Sequence, residues 1–360
     1  MTDTPISARI HQMLHRRSDA LKPGDPVPEP LVSTSVFSLP ETPETTRTYA
    51  RFTSPTIEAV EARLADLEAA PTLLFPSGMA TYTALLMSTL KAGDRVLMLS
   101  DGYYAARNLV EDVLLPFEVE LETSPAAVIS EAPLDGVALV VIETPSNPGL
   151  DVINIAALAK RCHAAGALLA VDNTVCTALL QQPLDLGADV VLCADTKASG
   201  GHSDLLMGHI SSRDQDLMQR VLTVRNLTGA IPAPFEAWLL LRGLETLEIR
   251  LDRMCANARA VLTLLEAAEG VSDVTYPEAH PQMTDQGFLI GATFADAETA
   301  DRFAKEAGLV AMTSFGGLHS SADRRARWGD EVAPGFLRLS FGVEPTVELV
   351  KTIERGLSAL

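Results

Sequence analysis

The segment from Asp189 to Gly208 constrains the fold most strongly, because it joins a buried strand to a chemically unusual lysine. Residues 190–192 are an apolar run that predicts a buried strand, and Lys197 follows just before a Gly-Gly turn. A lysine close to a buried strand is costly unless it is neutral, paired or covalently used. Desolvation lowers the pKa of an amine and makes it a nucleophile towards carbonyls. Lys197 is therefore either a Schiff-base lysine or a side chain that has simply reached water, and this segment favours neither.

A strand upstream of this segment favours the Schiff-base interpretation of Lys197. Residues 167–174 form another buried strand, which contains Asp172. Pyridoxal phosphate requires a lysine for its aldehyde and an anion that keeps its ring nitrogen protonated, so that the ring can accept electrons from a carbanion. The alternative for Asp172 is an ordinary cap or turn aspartate. Neither residue decides alone, but together they suggest this cofactor.

The same arrangement recurs along residues 49–230, where apolar strands alternate with helices and unusual residues follow the strand ends. This alternation predicts an α/β fold with a mostly parallel sheet. In such a sheet, ligands bind at the edge formed by the carboxyl ends of the strands. Five residues are expected at that edge: Gly78, Tyr103, Asn147, Asp172 and Lys197.

Three positions at this edge have further possible functions. Gly78 and Met79 begin a helix after a Ser-Gly turn, which is either an anion site built from free backbone N–H groups or a plain strand–helix connection. Tyr103 either stacks on a flat ring or is a packing residue. Asn147 lies between two prolines that stiffen its loop and aim it at whatever lies above the strand ends.

The pattern changes on both sides of this large domain. Residues 1–48 are expected to be a proline-rich arm, which either drapes over a neighbouring subunit or is a frayed terminus. Residues 231–360 are expected to form a smaller α+β domain that begins with a long helical region.

Further charged residues lie outside the sheet edge. Tyr49 and Arg51 precede a helix that Thr56 can cap, and they are either phosphate ligands or ordinary surface residues. Arg338 lies in an apolar strand, where its guanidinium suits the carboxylate of an amino acid. A salt bridge to an acidic side chain explains Arg338 equally well.

Composition excludes several classes of partner. Asp and Glu number 47 against 28 Lys and Arg, so nucleic acid is not an expected partner. No apolar run approaches the length of a membrane span, and the N-terminus carries no hydrophobic signal core, so we expect a cytoplasmic protein without membrane partners. The cysteines show no CxxC spacing, and we expect buried reduced thiols and no metal site: Cys162, Cys176, Cys193 and Cys255.

The chain resembles the cystathionine lyase and synthase family of pyridoxal-phosphate enzymes, also called the Cys/Met metabolism enzymes. The resemblance extends from about residue 30 to residue 358 through seven motifs: YARFTSPT, SGMAT, ETPSNP, VDNT, DTKASGGHSD, LLLRGLETL and FLRLSFGVE. It implies the aspartate aminotransferase-like architecture (fold type I) for the large domain. It also implies a carbon–sulfur lyase that is usually a homotetramer, with active sites shared between subunits.

The resemblance assigns roles to the matching residues. Lys197 binds the cofactor aldehyde and then moves protons, while Asp172 holds the ring nitrogen. Tyr103 stacks on the ring, and it helps to activate the substrate amine or to protonate the leaving sulfur. Gly78, Met79 and Thr196 bind the cofactor phosphate. Tyr49 and Arg51 bind the phosphate of the neighbouring subunit. Asn147, Arg338 and the backbone near Ser314 bind the substrate carboxylate.

Three positions depart from the family pattern. Ala194 stands where the family has a phosphate-binding serine, so one hydrogen bond to the phosphate is expected to be lost. Ser54 replaces an asparagine. His319 replaces a glutamate in a turn near the distal end of the substrate, which puts substrate choice in doubt.

The implied reaction is cleavage of a sulfur amino acid in cysteine and methionine metabolism, which includes transsulfuration and amino-acid biosynthesis. We expect a cystathionine γ-lyase, which forms L-cysteine, 2-oxobutanoate and ammonia. The alternatives are cystathionine β-lyase, methionine or homocysteine γ-lyase, and cystathionine γ-synthase. A non-catalytic relative is a further alternative, against which the joint presence of Lys197, Asp172, Tyr103 and Arg338 argues.

Overall fold

The computed structural model describes residues 4–39, 41 and 47–360, so Pro40, Pro43 and part of the predicted arm lie outside the described residues. The helices are α1 Ile6–His15, α2 Pro55–Glu68, α3 Gly78–Thr89, α4 Tyr104–Leu109, α5 Ile155–Ala165, α6 Thr177–Leu180, α7 Gln215–Thr228, α8 Pro234–Leu244, α9 Leu247–Ala267, α10 Ala297–Glu306 and α11 Thr346–Leu357. The strands are β1 Thr72–Phe75, β2 Arg95–Leu99, β3 Glu120–Ser124, β4 Val137–Glu143, β5 Leu168–Asp172, β6 Val190–Cys193, β7 Gly208–Ser211, β8 Val271–Thr275, β9 Leu289–Phe294, β10 Val310–Ala311, β11 Ser321–Arg324 and β12 Phe336–Ser340.

The larger sheet has seven strands in the order β1-β7-β6-β5-β4-β2-β3. Only β7 runs against its neighbours, β1 and β6, so the predicted mostly parallel sheet is confirmed. Apolar clusters cover both faces of this sheet, which is why β4, β5 and β6 are apolar nearly throughout. The register pairs Glu143 with Asp172, so two carboxyl groups lie side by side where β4 and β5 end.

The second sheet has five strands in the order β10-β11-β12-β9-β8 and is mostly antiparallel. Helices α9, α10 and α11 pack on it through a separate apolar cluster, which confirms the predicted smaller α+β unit. Between α7 and α8 the chain passes from the first sheet to the second, and we propose the domain boundary there, near residue 230. At the N-terminus, Ile10 and Met13 of α1 join the apolar cluster that contains α2.

Local chemistry explains where the site-bearing helices begin. The Ser77 side chain accepts a hydrogen bond of 3.1 Å from the amide of Ala80 and thereby caps α3. The predicted cap of α2 is wrong, because that helix begins at Pro55 and Thr56 lies inside its first turn. Proline is favoured at this position, since its fixed φ suits a helix and its missing N–H would have no helical partner.

The long helical region predicted after residue 234 is two helices, α8 and α9, which hold the segment that follows Lys197. Gly243 of α8 packs so closely on that segment that a Cβ atom would lie 2.6 Å from the carbonyl oxygen of Gly200. Arg250 of α9 donates to the carbonyl oxygens of Ala198 (2.6 Å) and Ser199 (3.2 Å). Helices α8 and α9, which lie outside the large sheet, therefore hold the lysine segment in place through contacts with its backbone.

Two further sequence expectations concern the whole chain. All four cysteines are buried and unpaired, as predicted. Among the helices of the described ranges, none combines the length and apolarity that crossing a bilayer requires.

Candidate active site

A cavity of about 320 Å³ lies at the carboxyl-terminal edge of the large sheet. Eight of the eleven sequence-predicted site residues line it: Gly78, Met79, Tyr103, Asn147, Asp172, Thr196, Lys197 and Arg338. The five residues predicted to share one sheet edge therefore do share one cavity. The three predicted residues outside its lining are Tyr49, Arg51 and Ser314.

Lys197 is held in an environment that favours a neutral amine. Its Nζ donates a hydrogen bond of 2.9 Å to Oγ of Ser314 and lies 5.0 Å from the ring centre of Phe315. Burial, followed by the nearby positive charges of Arg338 and Arg325, lowers the pKa of Lys197 to about 8. The amine is thus unprotonated far more often than that of an exposed lysine, which makes it a competent nucleophile and base.

Asp172 is a buried carboxylate with few donors. Its Oδ2 accepts from the Tyr82 hydroxyl at 2.8 Å and its Oδ1 from the Thr174 amide at 2.9 Å. Burial raises the pKa of Asp172, although the bonds from Thr174 and Tyr82 act in the opposite direction. Nearby His209 also lowers the pKa, but no cation of the described residues forms a salt bridge with Asp172. A protonated pyridine nitrogen would supply that partner.

A glycine-dependent helix start forms one end of the cavity. At Gly78, the first residue of α3, a Cβ atom would lie 2.7 Å from Cβ of Ala194, so only glycine fits. The first amides of α3 have no helical acceptor and suit a phosphate. Ala194 lines the cavity without a hydroxyl, and the Thr196 hydroxyl already bonds the amide and carbonyl of Met207. A phosphate bound there would depend mainly on backbone donors.

Arg338 and Asn147 line the other end of the cavity and suit an anion. Nη1 of Arg338 donates to Oδ1 of Asn147 (2.7 Å), and Nη2 donates to the carbonyl oxygen of Thr313 (2.5 Å). Its Nε is buried without a hydrogen-bond partner in the described part of the chain. Burial lowers the pKa of Arg338 to about 10, so the group remains cationic at neutral pH. A buried cation with an unused donor fits a carboxylate.

The structure adds two residues that sequence reasoning missed. Glu143, at the end of β4, accepts from the Tyr103 amide (3.1 Å), and burial and neighbouring Asp172 raise the pKa of Glu143 well above its ordinary value. Tyr82 lies one helical turn after Gly78 and reaches Asp172. That i, i+4 spacing is a sequence signal that could have placed Tyr82 on the cavity side of α3.

Of the predicted site residues outside the lining, Tyr49 and Arg51 make contacts elsewhere in their own chain. Tyr49 is exposed, and the Arg51 guanidinium stacks over Phe52 and donates to the carbonyl oxygen of Asn226. His319 is also exposed and does not line the cavity, so the structure does not place it beside a substrate there.

A buried charged cluster lies beneath the lysine segment. His209 contacts Asp195 through Nδ1 (2.8 Å) and Glu68 through Nε2 (3.3 Å), and all three side chains are buried. Burial alone would lower the pKa of His209, but the two carboxylates outweigh it and raise the pKa to about 10. Asp195 precedes Lys197 by two residues, so the cluster anchors the start of the catalytic segment.

We expect His209→Gln to destabilise the protein by about 3–5 kcal/mol, because it leaves two buried carboxylates without their cation. A pKa raised above the unfolded value means that this stabilisation is complete below about pH 6.5 and is lost as pH rises towards the folded value. The difference in urea-unfolding free energy between wild type and variant should therefore shrink from pH 7 to pH 10.

His163→Gln is the matched control, because His163 pairs with Asp189 at a half-exposed surface site. Its expected effect is under about 1 kcal/mol. A pH-independent difference for His209→Gln would show that the cluster is not ionised as described.

The geometry fits pyridoxal phosphate: an amine of lowered pKa, a buried carboxylate without a salt bridge to the described residues, and a glycine-dependent helix N-terminus line one cavity. Together with the sheet order, these features define a pyridoxal phosphate-dependent enzyme. Residues 12–358 match the family described as Cys/Met metabolism PLP-dependent enzyme, and the chain belongs to that family.

Individual relatives agree with this assignment. A Streptomyces coelicolor protein provisionally named cystathionine gamma-lyase is 40% identical over 94% of this chain and 92% of its own. The cystathionine gamma-synthase of Mycobacterium bovis is 35% identical over 86% of each chain. The crystal structure of cystathionine gamma-lyase from Lactobacillus plantarum, complexed with L-serine, matches with a TM-score of 0.90 at 29% identity, covering 98% of this chain and 98% of that chain. The chain is thus a lyase or synthase of the Cys/Met family.

Proposed function

We propose that the protein is a cystathionine γ-lyase, which converts L-cystathionine and water into L-cysteine, 2-oxobutanoate and ammonia. The observation that supports a reaction of this class is the placement of Lys197, Asp172 and Arg338 around one cavity. The choice of γ-elimination is supported by the similarity to the Streptomyces and Lactobacillus proteins.

Pyridoxal phosphate, when bound, supplies an electron sink for the carbanion formed at the substrate Cα. Lys197 would hold its aldehyde carbon, Asp172 its ring nitrogen, and the α3 amides at Gly78 and Met79 its phosphate.

Lys197 is suited to carry protons during the reaction. With a pKa of about 8, its amine can accept a proton from Cα of the substrate at neutral to mildly alkaline pH and, once it has released that proton, can accept a second from Cβ. Ser314 accepts a hydrogen bond from Nζ and so fixes the direction of the amine.

Tyr103 is suited to donate a proton. Burial, followed by Tyr104 and Glu143, raises the pKa of Tyr103, so its phenol keeps its proton at neutral pH. Of the two roles that the resemblance allows, this favours protonation of the leaving sulfur over removal of a proton from the substrate amine.

Arg338 binds the α-carboxylate, because it is cationic, buried and supplied with an unused Nε donor. Asn147 and the Thr313 carbonyl hold its guanidinium from the sides. This contact fixes the Cα–H bond relative to Lys197, which converts proton removal into an oriented intramolecular step.

We further propose an oligomer with shared sites, at least a dimer and by resemblance a tetramer. Tyr49 and Arg51 lie outside the cavity of their own chain and are exposed in part, which is compatible with a role at the phosphate of a neighbouring subunit.

Product analysis tests the proposed function. Holoenzyme incubated with L-cystathionine is expected to release 2-oxobutanoate and cysteine in equal amounts, measured by chromatography of the keto acid and the thiol. Pyruvate with homocysteine would instead assign β-elimination. The synthase is the second candidate, because a relative with that name is 35% identical. It would show net formation of cystathionine from an activated homoserine and cysteine.

A further inference from the structure

Arg325 is a second buried arginine of the cavity, and none of the steps above uses it. It follows β11 in a short turn, is only 3% exposed and lines the same cavity as Lys197 and Arg338. The run of arginines around it resembles a solvated surface segment, so the sequence gives no reason to place it in the site.

Two aspartates that do not line the cavity hold the guanidinium of Arg325. Its Nε donates to Asp330 (2.6 Å) and its Nη1 donates to Asp323 (2.9 Å). Neither aspartate lines the cavity, whereas Arg325 does. Nη2 has no hydrogen-bond partner in the part of the chain that the structure describes, so it is the nitrogen left for a ligand.

Asp323 also ties Arg325 to the anion site already described. The same Oδ2 atom that accepts from Arg325 lies 3.5 Å from Nη2 of Arg338. Trp328 donates to the other oxygen at 2.9 Å, which fixes the carboxylate. The two guanidinium groups are therefore neighbours, oriented by one aspartate and facing one cavity.

The charges of this region are asymmetric. The two cations lie at the cavity wall and their carboxylates lie behind it, so a ligand meets positive charge first. A single α-carboxylate occupies Arg338 and leaves Arg325 without a counter-charge on the cavity side. Asp323 and Asp330 balance the two cations from behind, and a ligand anion on the cavity side would add a charge-assisted hydrogen bond to Arg325.

We infer that Arg325 binds a second carboxylate, carried on the side chain of the substrate. It would make the enzyme prefer amino acids with a distal carboxylate over those with an uncharged side chain, such as methionine. This inference rests on the proposed function only in giving the α-carboxylate to Arg338. It also moves distal recognition from His319, which is exposed, to a buried guanidinium.

Two amino acids with equal carbon number test this preference in the holoprotein. L-2-Aminoadipate ends in a carboxylate where L-norleucine ends in a methyl group. Their dissociation constants, measured by calorimetry, should favour aminoadipate in the wild type. We define the ratio as the dissociation constant of norleucine divided by that of aminoadipate. In Arg325→Gln this ratio should fall about ten- to a hundredfold, since hydrogen bonds to charged groups contribute about 1.5–3 kcal/mol.

Controls separate binding from folding. Arg324→Gln alters the adjacent arginine, which pairs with Asp301 at the surface, and should leave the ratio unchanged. Should Arg325→Gln fold poorly, the double variant with Asp330→Asn removes the unpaired carboxylate, and the ratio is measured there.

The outcomes are distinct. An unchanged ratio in a folded Arg325 variant would reduce Arg325 to a structural clamp and overturn the inference. Equal weakening of both ligands would also overturn it, because it would place Arg325 at the α-carboxylate. If the wild type releases no keto acid from any sulfur amino acid, the proposed function fails, while the binding ratio still tests Arg325.

Discussion

Replacing Lys197 with alanine is expected to lower keto-acid formation from the preferred sulfur amino acid by about four orders of magnitude or more. The variant loses both the amine that holds the cofactor and the base that moves protons at Cα and Cβ. The visible absorption band of lysine-bound pyridoxal phosphate should disappear with it. Both are measured directly, by assay of the keto acid and by the spectrum of the purified protein.

The cofactor should still associate with Lys197→Ala through its phosphate and be removable by dialysis. Lys160→Ala is the matched control, because Lys160 is exposed on α5, and its activity and spectrum should equal those of the wild type. Substantial turnover by Lys197→Ala would remove the central role given to this lysine.

The strands that carry the site could be predicted because their signals are local. Residues 137–142, 168–171 and 190–194 are apolar runs, and an acidic residue after each run lies at or near the carboxyl end of the strand. Strands β3 and β7 could not be found in this way. β3 lies at the sheet edge with partly exposed residues, and the four-residue β7 exists because it pairs with β1 and β6 on either side.

The same distinction applies to the site. Lys197, Asp172 and Asn147 each follow or end a strand, so the topology brings them together once the sheet forms. Arg325 follows a strand of the other sheet. Its chain neighbours Asp323 and Asp330 orient its guanidinium, but only tertiary packing brings that turn to the cavity. Local patterns predict where strand ends meet, but they do not predict which distant turns close over them.

The second large effect concerns the partner of the ring nitrogen. We expect Asp172→Asn to lower turnover about a hundred- to five-thousandfold. The amide cannot keep the nitrogen protonated, and losing one partner of a buried ion pair costs about 3–5 kcal/mol. The rate of keto-acid release measures this. Tyr82→Phe removes one hydrogen bond to the same carboxylate and should cost only about tenfold.

The stability of the apoprotein independently tests whether the buried carboxylate of Asp172 lacks a compensating charge. Because burial raises its pKa, folding favours the protonated acid, and the ionised form destabilises the apoprotein once the pH exceeds the unfolded value near 3.9. At pH 7, Asp172→Asn should therefore unfold at a temperature equal to or above that of the wild-type apoprotein, while the loaded variant is the weaker catalyst. An Asp172→Asn variant with lower apoprotein stability and full activity would contradict both the expected stability and the expected loss of turnover. The Asp172 carboxylate would then be compensated within the protein, and its ion-pair partner would not be a pyridine nitrogen.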